Sequence, residues 1–161
     1  MFLEREKMAD IIPASTKFHI RAIVELFREY EQFLQVDLCF QGFEEELAGL
    51  PGKYAEPQGA LLLAVADDQP LGCVAMRPLT DAVCEMKRLY VRPAYLGRGV
   101  GRQLALRVID RARQAGYRSM RLDSLEKLKP ALQLYKSLGF RKCPAYYENP
   151  LPGVVYLELA L

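Results

Sequence analysis

Between residues 83 and 115 a strand-like run, a glycine-spaced turn and an amphipathic repeat follow one another directly, and few folds accept that succession. VCEMKRLYV (83–91) has the composition of a strand. Leu96-Gly97-Arg98-Gly99-Val100-Gly101 then places glycines at alternate positions, where the backbone can turn tightly and approach a ligand with no Cβ in the way. Over 99–115, Val100, Leu104, Val108, Ile109 and Ala112 recur at helical spacing, with Arg102, Arg107, Arg111 and Arg113 on the opposite face. A strand that enters a helix in this way points to a sheet with helices packed on it.

The flanking sequence extends that pattern. MADIIP (8–13) predicts a short first strand. Ser15 or Thr16 can cap a helix bearing Ile20, Ile23, Val24, Phe27, Tyr30 and Leu34, and a second short helix covers 43–50. GALLLAVA (59–66) and LGCVAMR (71–77) predict a hairpin turning at Asp67-Asp68-Gln69. After the central helix come a strand at 117–123, a helix carrying Ala131, Leu134, Tyr135 and Leu138, and strands at about 140–147 and 154–161. The predicted order β α α β β β α β α β β describes a mixed α/β sheet of about seven strands flanked by four helices. With 161 residues the chain suits one domain, drawn at 8–161, with residues 1–7 as an N-terminal extension.

Bulk properties exclude several functions. The longest apolar run, Ala60 to Ala66, is seven residues, whereas a membrane span needs about 20, and the charged start MFLEREKMADII does not suit export. The expectation is a cytoplasmic protein with no membrane partner. The four cysteines (39, 73, 84 and 143) lack zinc-site spacing and His19 is the single histidine, so no metal is expected. Ten basic residues between Lys87 and Arg121 face one acid, Asp110, while 25–56 holds eight acids against Arg28 and Lys53. One segment can receive an anion and the other a cation. A nucleic-acid module is disfavoured, because the basic stretch spans strand, loop and helix without an aromatic platform and the pI is only about 8.3.

Free N–H groups at the start of the 99–115 helix, with the positive end of its dipole, suit a phosphate or pyrophosphate. The turn is not a Walker loop, since Arg102-Gln103 follows Gly101, and its G-x-G-x-G spacing is not the G-x-G-x-x-G of a dinucleotide site.

EMKRLYVRPAYLGRGVGRQL (85–104) resembles the acyl-CoA segment of the Gcn5-related N-acetyltransferase (GNAT) superfamily: a strand, Val-x-Pro, and G-x-G-x-G opening a helix. ALQLYKSLGF (131–140) matches its late A-x-x-L-Y-x-x-x-G-F segment. The resemblance covers 8–161 and implies the GNAT fold, acetyl-CoA as acyl donor, and an N-acetyltransferase acting on a small-molecule amine. It is also compatible with a homodimer. Gly97, Arg98, Gly99, Val100, Gly101 and Arg102 would cradle the pyrophosphate. The fourth strand would diverge from the fifth after Leu89, leaving the backbone of Leu89, Tyr90 and Val91 to pair with the pantetheine arm as an added strand. Leu96 and Leu128 depart from the family pattern, each replacing a polar contact to the cofactor.

Acyl transfer needs a neutral amine, a stabilised oxyanion and a proton for the leaving thiolate. By family position Glu85 is the candidate general base and Tyr135 the candidate acid, with a backbone N–H of Leu89 or Tyr90 at the oxyanion. The acceptor is expected between 36–54 and PAYYENP (144–150). The alternative is a silent acyl-CoA sensor that keeps the loop and lacks turnover.

Overall fold

The computed structural model describes residues 8–161; the extension expected at residues 1–7 lies outside them. The elements, in order, are β1 (Asp10–Pro13), α1 (Lys17–Leu34), α2 (Phe43–Ala48), β2 (Ala60–Ala66), β3 (Gln69–Pro78), β4 (Val83–Val91), α3 (Val100–Gln114), β5 (Ser119–Leu125), α4 (Lys129–Ser137), β6 (Arg141–Lys142) and β7 (Val154–Ala160). The expected mixed sheet and four helices are present. The seven strands lie in the order β1-β2-β3-β4-β5-β7-β6, with β4 and β5 the parallel pair.

Local chemistry accounts for the element ends. Thr16 caps α1: its Oγ1 accepts from the His19 N–H at 3.1 Å, and His19 Nδ1 in turn accepts from the Thr16 N–H at 3.4 Å. Asp67 and Asp68 at the β2–β3 turn both have positive φ (49° and 61°), the twist that a tight hairpin requires. The strand expected over 140–147 reduces to Arg141–Lys142. Pro144 supplies no N–H for a ladder, and Tyr146 and Tyr147 instead send their hydroxyls to Glu85 and Asp123.

Each sheet face carries its own core. Leu104, Ala105, Val108 and Ala112 of α3 pack fully buried with Met76 and Met120 on one face. Ile23, Leu26 and Phe27 of α1, with Phe43 of α2, pack on Leu63 and Ala75 on the other. Each large side chain so buried stabilises the fold by roughly 1.5–3 kcal/mol relative to exposure.

Two irregularities in β4 shape the site. First, β4 pairs with β5 only at Val83↔Ser119, Cys84↔Met120 and Glu85↔Arg121. The strands therefore part after Glu85, four residues earlier than the expected divergence after Leu89. Second, Cys73 faces Tyr90 and Ala75 faces Lys87, so β4 spends one extra residue there, and Arg88 and Leu89 have no register partner on β3, although the Arg88 carbonyl accepts from Cys73 Sγ at 3.3 Å. Arg88 takes a φ of +59°, and such a bulge bends and twists the strand away from its neighbour.

Candidate active site

The parting of β4 and β5 opens a cleft of about 290 Å³ between Met86–Val91, Leu122–Leu125 and the first turns of α3 and α4. Leu89, Tyr90, Val91, Gly101 and Tyr135 all line it. At its mouth, Gly97 and Gly99 hold φ near +78° and +77°, the left-handed region that other residues rarely enter. Gly99 caps α3 without a side-chain hydrogen bond, so the N–H groups of the first turn, through Arg102, have no helical partner. Arg98 stacks over the Tyr95 ring and Arg102 donates from Nη1 to Ser137 Oγ at 3.0 Å. Open N–H groups, helix dipole and two guanidinium groups fit a diphosphate, and the apolar cleft behind them fits a flexible arm.

Tyr135 is packed edge-on against Phe140, with ring centroids 5.7 Å apart. Burial raises its pKa above the ordinary phenol value. Among the described residues its hydroxyl makes no hydrogen bond, so it stands as a protonated donor on the cleft wall.

Glu85 is fully buried and lines neither the cleft nor its neighbouring cavity. Arg77 Nε donates to its Oε1 at 2.8 Å, Lys87 Nζ lies 3.7 Å from the same oxygen, and the Tyr146 hydroxyl donates to Oε2 at 2.5 Å. The two candidate side chains thus differ in access: Tyr135 faces the cleft and Glu85 is sealed behind its partners.

A second cavity, of about 480 Å³, lies between α2, the following loop and the Tyr147–Glu148 segment. Lys87 and Gln41 line both spaces and so form the wall between them. Burial holds Lys87 below the ordinary amine value, partly offset by Glu85. Burial would lower Arg77 too, but Glu85 outweighs it and its pKa is raised.

Sequence reasoning missed Asp123. It lines the cleft where β5 turns from β4, and its Oδ2 accepts from Tyr147 and, at 2.7 Å, from Asn149 Nδ2. Oδ1 makes no hydrogen bond among the described residues. Its charge raises the pKa values of Tyr135, Tyr146 and Tyr147, although burial is the larger cause in each. The one signal in the sequence was an acid closing the predicted strand 117–123.

The oppositely charged segments fold onto each other. Arg92 pairs with Glu29 at 2.8 Å, Arg88 with Glu46 at 3.0 Å, and Arg111 with Glu56. Of the acids on the second cavity, Glu46 is neutralised in this way, leaving Glu45 and Glu148 exposed at the rim.

The acetyltransferase (GNAT) family model matches residues 20–140. An uncharacterised N-acetyltransferase of Schizosaccharomyces pombe is 45% identical over 138 residues, spanning 84% of this chain and 85% of its own. An acetyltransferase structure from Streptococcus agalactiae superposes with a TM-score of 0.81 at 20% identity, covering 96% of this chain and 99% of that one. A GNAT family acetyltransferase from Elizabethkingia anophelis, with acetyl-CoA bound, superposes with a TM-score of 0.67 at 20% identity over 97% and 100% of the two chains.

Proposed function

Since this chain belongs to the acetyltransferase (GNAT) family, we propose that it moves the acetyl group of acetyl-CoA to the amine of a small molecule by direct attack in the β4–β5 cleft. The observation that carries this reading is the cleft itself, which joins an open helix N-terminus to a strand bulge and a free phenol.

When bound, acetyl-CoA supplies an activated thioester. The first turn of α3 holds the diphosphate, and the backbone of Leu89, Tyr90 and Val91 pairs with the arm. The bulge at Arg88 and Leu89 lies off the β3 ladder, so the N–H of Leu89 can donate to the acetyl carbonyl oxygen, whereas Tyr90 is paired with Cys73 on β3. The nitrogen–carbon bond forms as the carbon–sulfur bond breaks. Two protons leave the acceptor ammonium, and one of them ends in solvent while the other balances the sulfur.

The residues divide that proton traffic by access. Asp123 lines the cleft and its Oδ1 makes no hydrogen bond among the described residues, so we give it direct contact with the amine. Glu85 reaches the amine only through Lys87 or Tyr146, and its part is that of a positioning residue that fixes Arg77 and Lys87. Tyr135 supplies the proton to sulfur.

The test combines calorimetric titration of coenzyme A with thiol release from acetyl-CoA across an amine panel. Saturable binding with turnover supports the reading. Binding without turnover on any amine would favour the silent sensor, and absence of binding would remove the site altogether.

A further inference from the structure

The second cavity bears on what the acceptor is, and the argument rests on the acetyl-transfer reading above. Three cations and two carboxylates stand on or just behind its inner wall: Arg77, Lys87 and Arg88 against Glu46 and Glu85. Arg88 and Glu46 satisfy each other through two hydrogen bonds of 3.0 and 3.2 Å. The one remaining negative charge, on Glu85, is shared by two cations and held by the nearer, Arg77.

That leaves Lys87 without a carboxylate of its own in close contact. Lys87, with 8% of its side chain exposed, makes no hydrogen bond among the described residues, and neither do the η nitrogens of Arg77. Ionised groups withdrawn from water need an opposite charge and hydrogen bonds. The rim groups Glu45, Glu148 and Lys53 are exposed, and Asp123, on the cleft side of the wall, acts on Lys87 through its charge without an ion-pair contact.

Gln41 marks the direction of the ligand. Its Nε2 donates to Tyr147 Oη at 3.1 Å, and Tyr147 in turn donates to Asp123, which fixes the amide. Its Oε1 is buried and without a partner. Such an acceptor on the wall of both cavities suits an N–H donor passing from one to the other.

We infer that the second cavity is a carboxylate subsite, and that the acceptor is a free amino acid or a related small amino-carboxylate. Its carboxylate lies against Lys87 and Arg77, and its amine extends past Gln41 to Asp123 in the donor cleft. The positive side of the wall and the negative side then match the two ends of a zwitterion.

The experiment pairs each of the common amino acids with its own carboxamide, which keeps the size and the amine but lacks the charge. Turnover with acetyl-CoA is measured on the wild type, and binding to the coenzyme A-loaded protein by calorimetry. For at least one pair kcat/KM is expected to favour the acid by about 10-fold or more. Arg77→Gln and Lys87→Met should bring that ratio towards one, and Arg77→Gln, which lies on the second cavity alone, should leave affinity for coenzyme A unchanged. If either variant fails to fold, the wild-type ratio still decides. Equal use of acid and amide in every pair overturns the inference, as does failure of every amino acid to bind or react. Loss of coenzyme A binding, by contrast, sinks the acetyl-transfer reading itself.

Discussion

Tyr146 donates to Glu85 at 2.5 Å across 61 positions of sequence, closing the last open oxygen of a carboxylate already held by Arg77. The segment expected as a strand is thereby used as a clasp over the charged centre of the sheet. Glu85→Gln removes the anion that balances two largely buried cations, and is expected to destabilise the fold by about 3–5 kcal/mol in urea denaturation. Tyr146→Phe loses one hydrogen bond to a charged group and should cost about 1.5–3 kcal/mol. Equal stability of Glu85→Gln and wild type would show that this cluster holds nothing together.

Tyr135→Phe keeps the ring against Phe140 and removes only the cleft-facing hydroxyl. Turnover should fall by about 10²-fold or more while affinity for coenzyme A holds. A variant with wild-type kcat would assign the sulfur's proton to another donor. Asp123→Asn should also lower kcat and alter the shape of its pH profile. A profile of unchanged shape would remove Asp123 from proton transfer.

Gly99 and Gly101 separate backbone from ligand effects. Gly99 sits at φ +77°, so Gly99→Ala should cost roughly 1–2 kcal/mol of stability. A Cβ at Gly101 would meet only Val91 Cγ2 at 3.6 Å and Leu134 Cδ2 at 3.9 Å, ordinary contacts. Gly101→Ala should fold normally and weaken coenzyme A binding about 10-fold or more, because its methyl enters the cleft. Calorimetry beside thermal melts reads both, and unimpaired binding by Gly101→Ala would move the diphosphate elsewhere.

Buried thiols and phenols set an alkaline limit. Burial pushes Cys84 from 9.0 up to about 12 and Tyr30 from 10.0 up to about 12. Both folded values lie above the unfolded ones, so the contribution is complete below pH 9 and fades between 9 and 12 as the unfolded chain ionises first. Each group takes away up to about 1.4 kcal/mol per pH unit in that window. Lys87, held below 10.5, works in the opposite sense, but it is one group against several. Urea midpoints should stay level towards pH 9 and fall above it, and a level midpoint at pH 11 would contradict this.

What the sequence revealed was whatever local pattern dictates. The glycine-spaced turn, the α3 stripe, the β2–β3 hairpin and the position of Tyr135 each follow from spacing or motif within one short segment. The bulge at Arg88 was hidden because a positive φ there falls on an arginine rather than a glycine, and only tertiary contacts sustain it. Glu85 appeared available because its strand position could be read, while its jailers Arg77 and Tyr146 come from other elements. Asp123, Gln41 and Lys87 converge only after three segments meet, which no periodicity announces.

Arg88 joins two jobs in one residue. Its backbone forms the bulge beside the donor cleft, and its side chain, 3% exposed and 5.4 Å above the Phe43 ring, anchors α2 through Glu46. The 39–54 segment and β4 are therefore not interchangeable parts. A transplanted 39–54 segment that brought no carboxylate to Glu46's place would strand the guanidinium and disturb the strand that carries it. Anyone re-engineering this enzyme for a new amine would need to keep that one anchor, or replace both of its ends together.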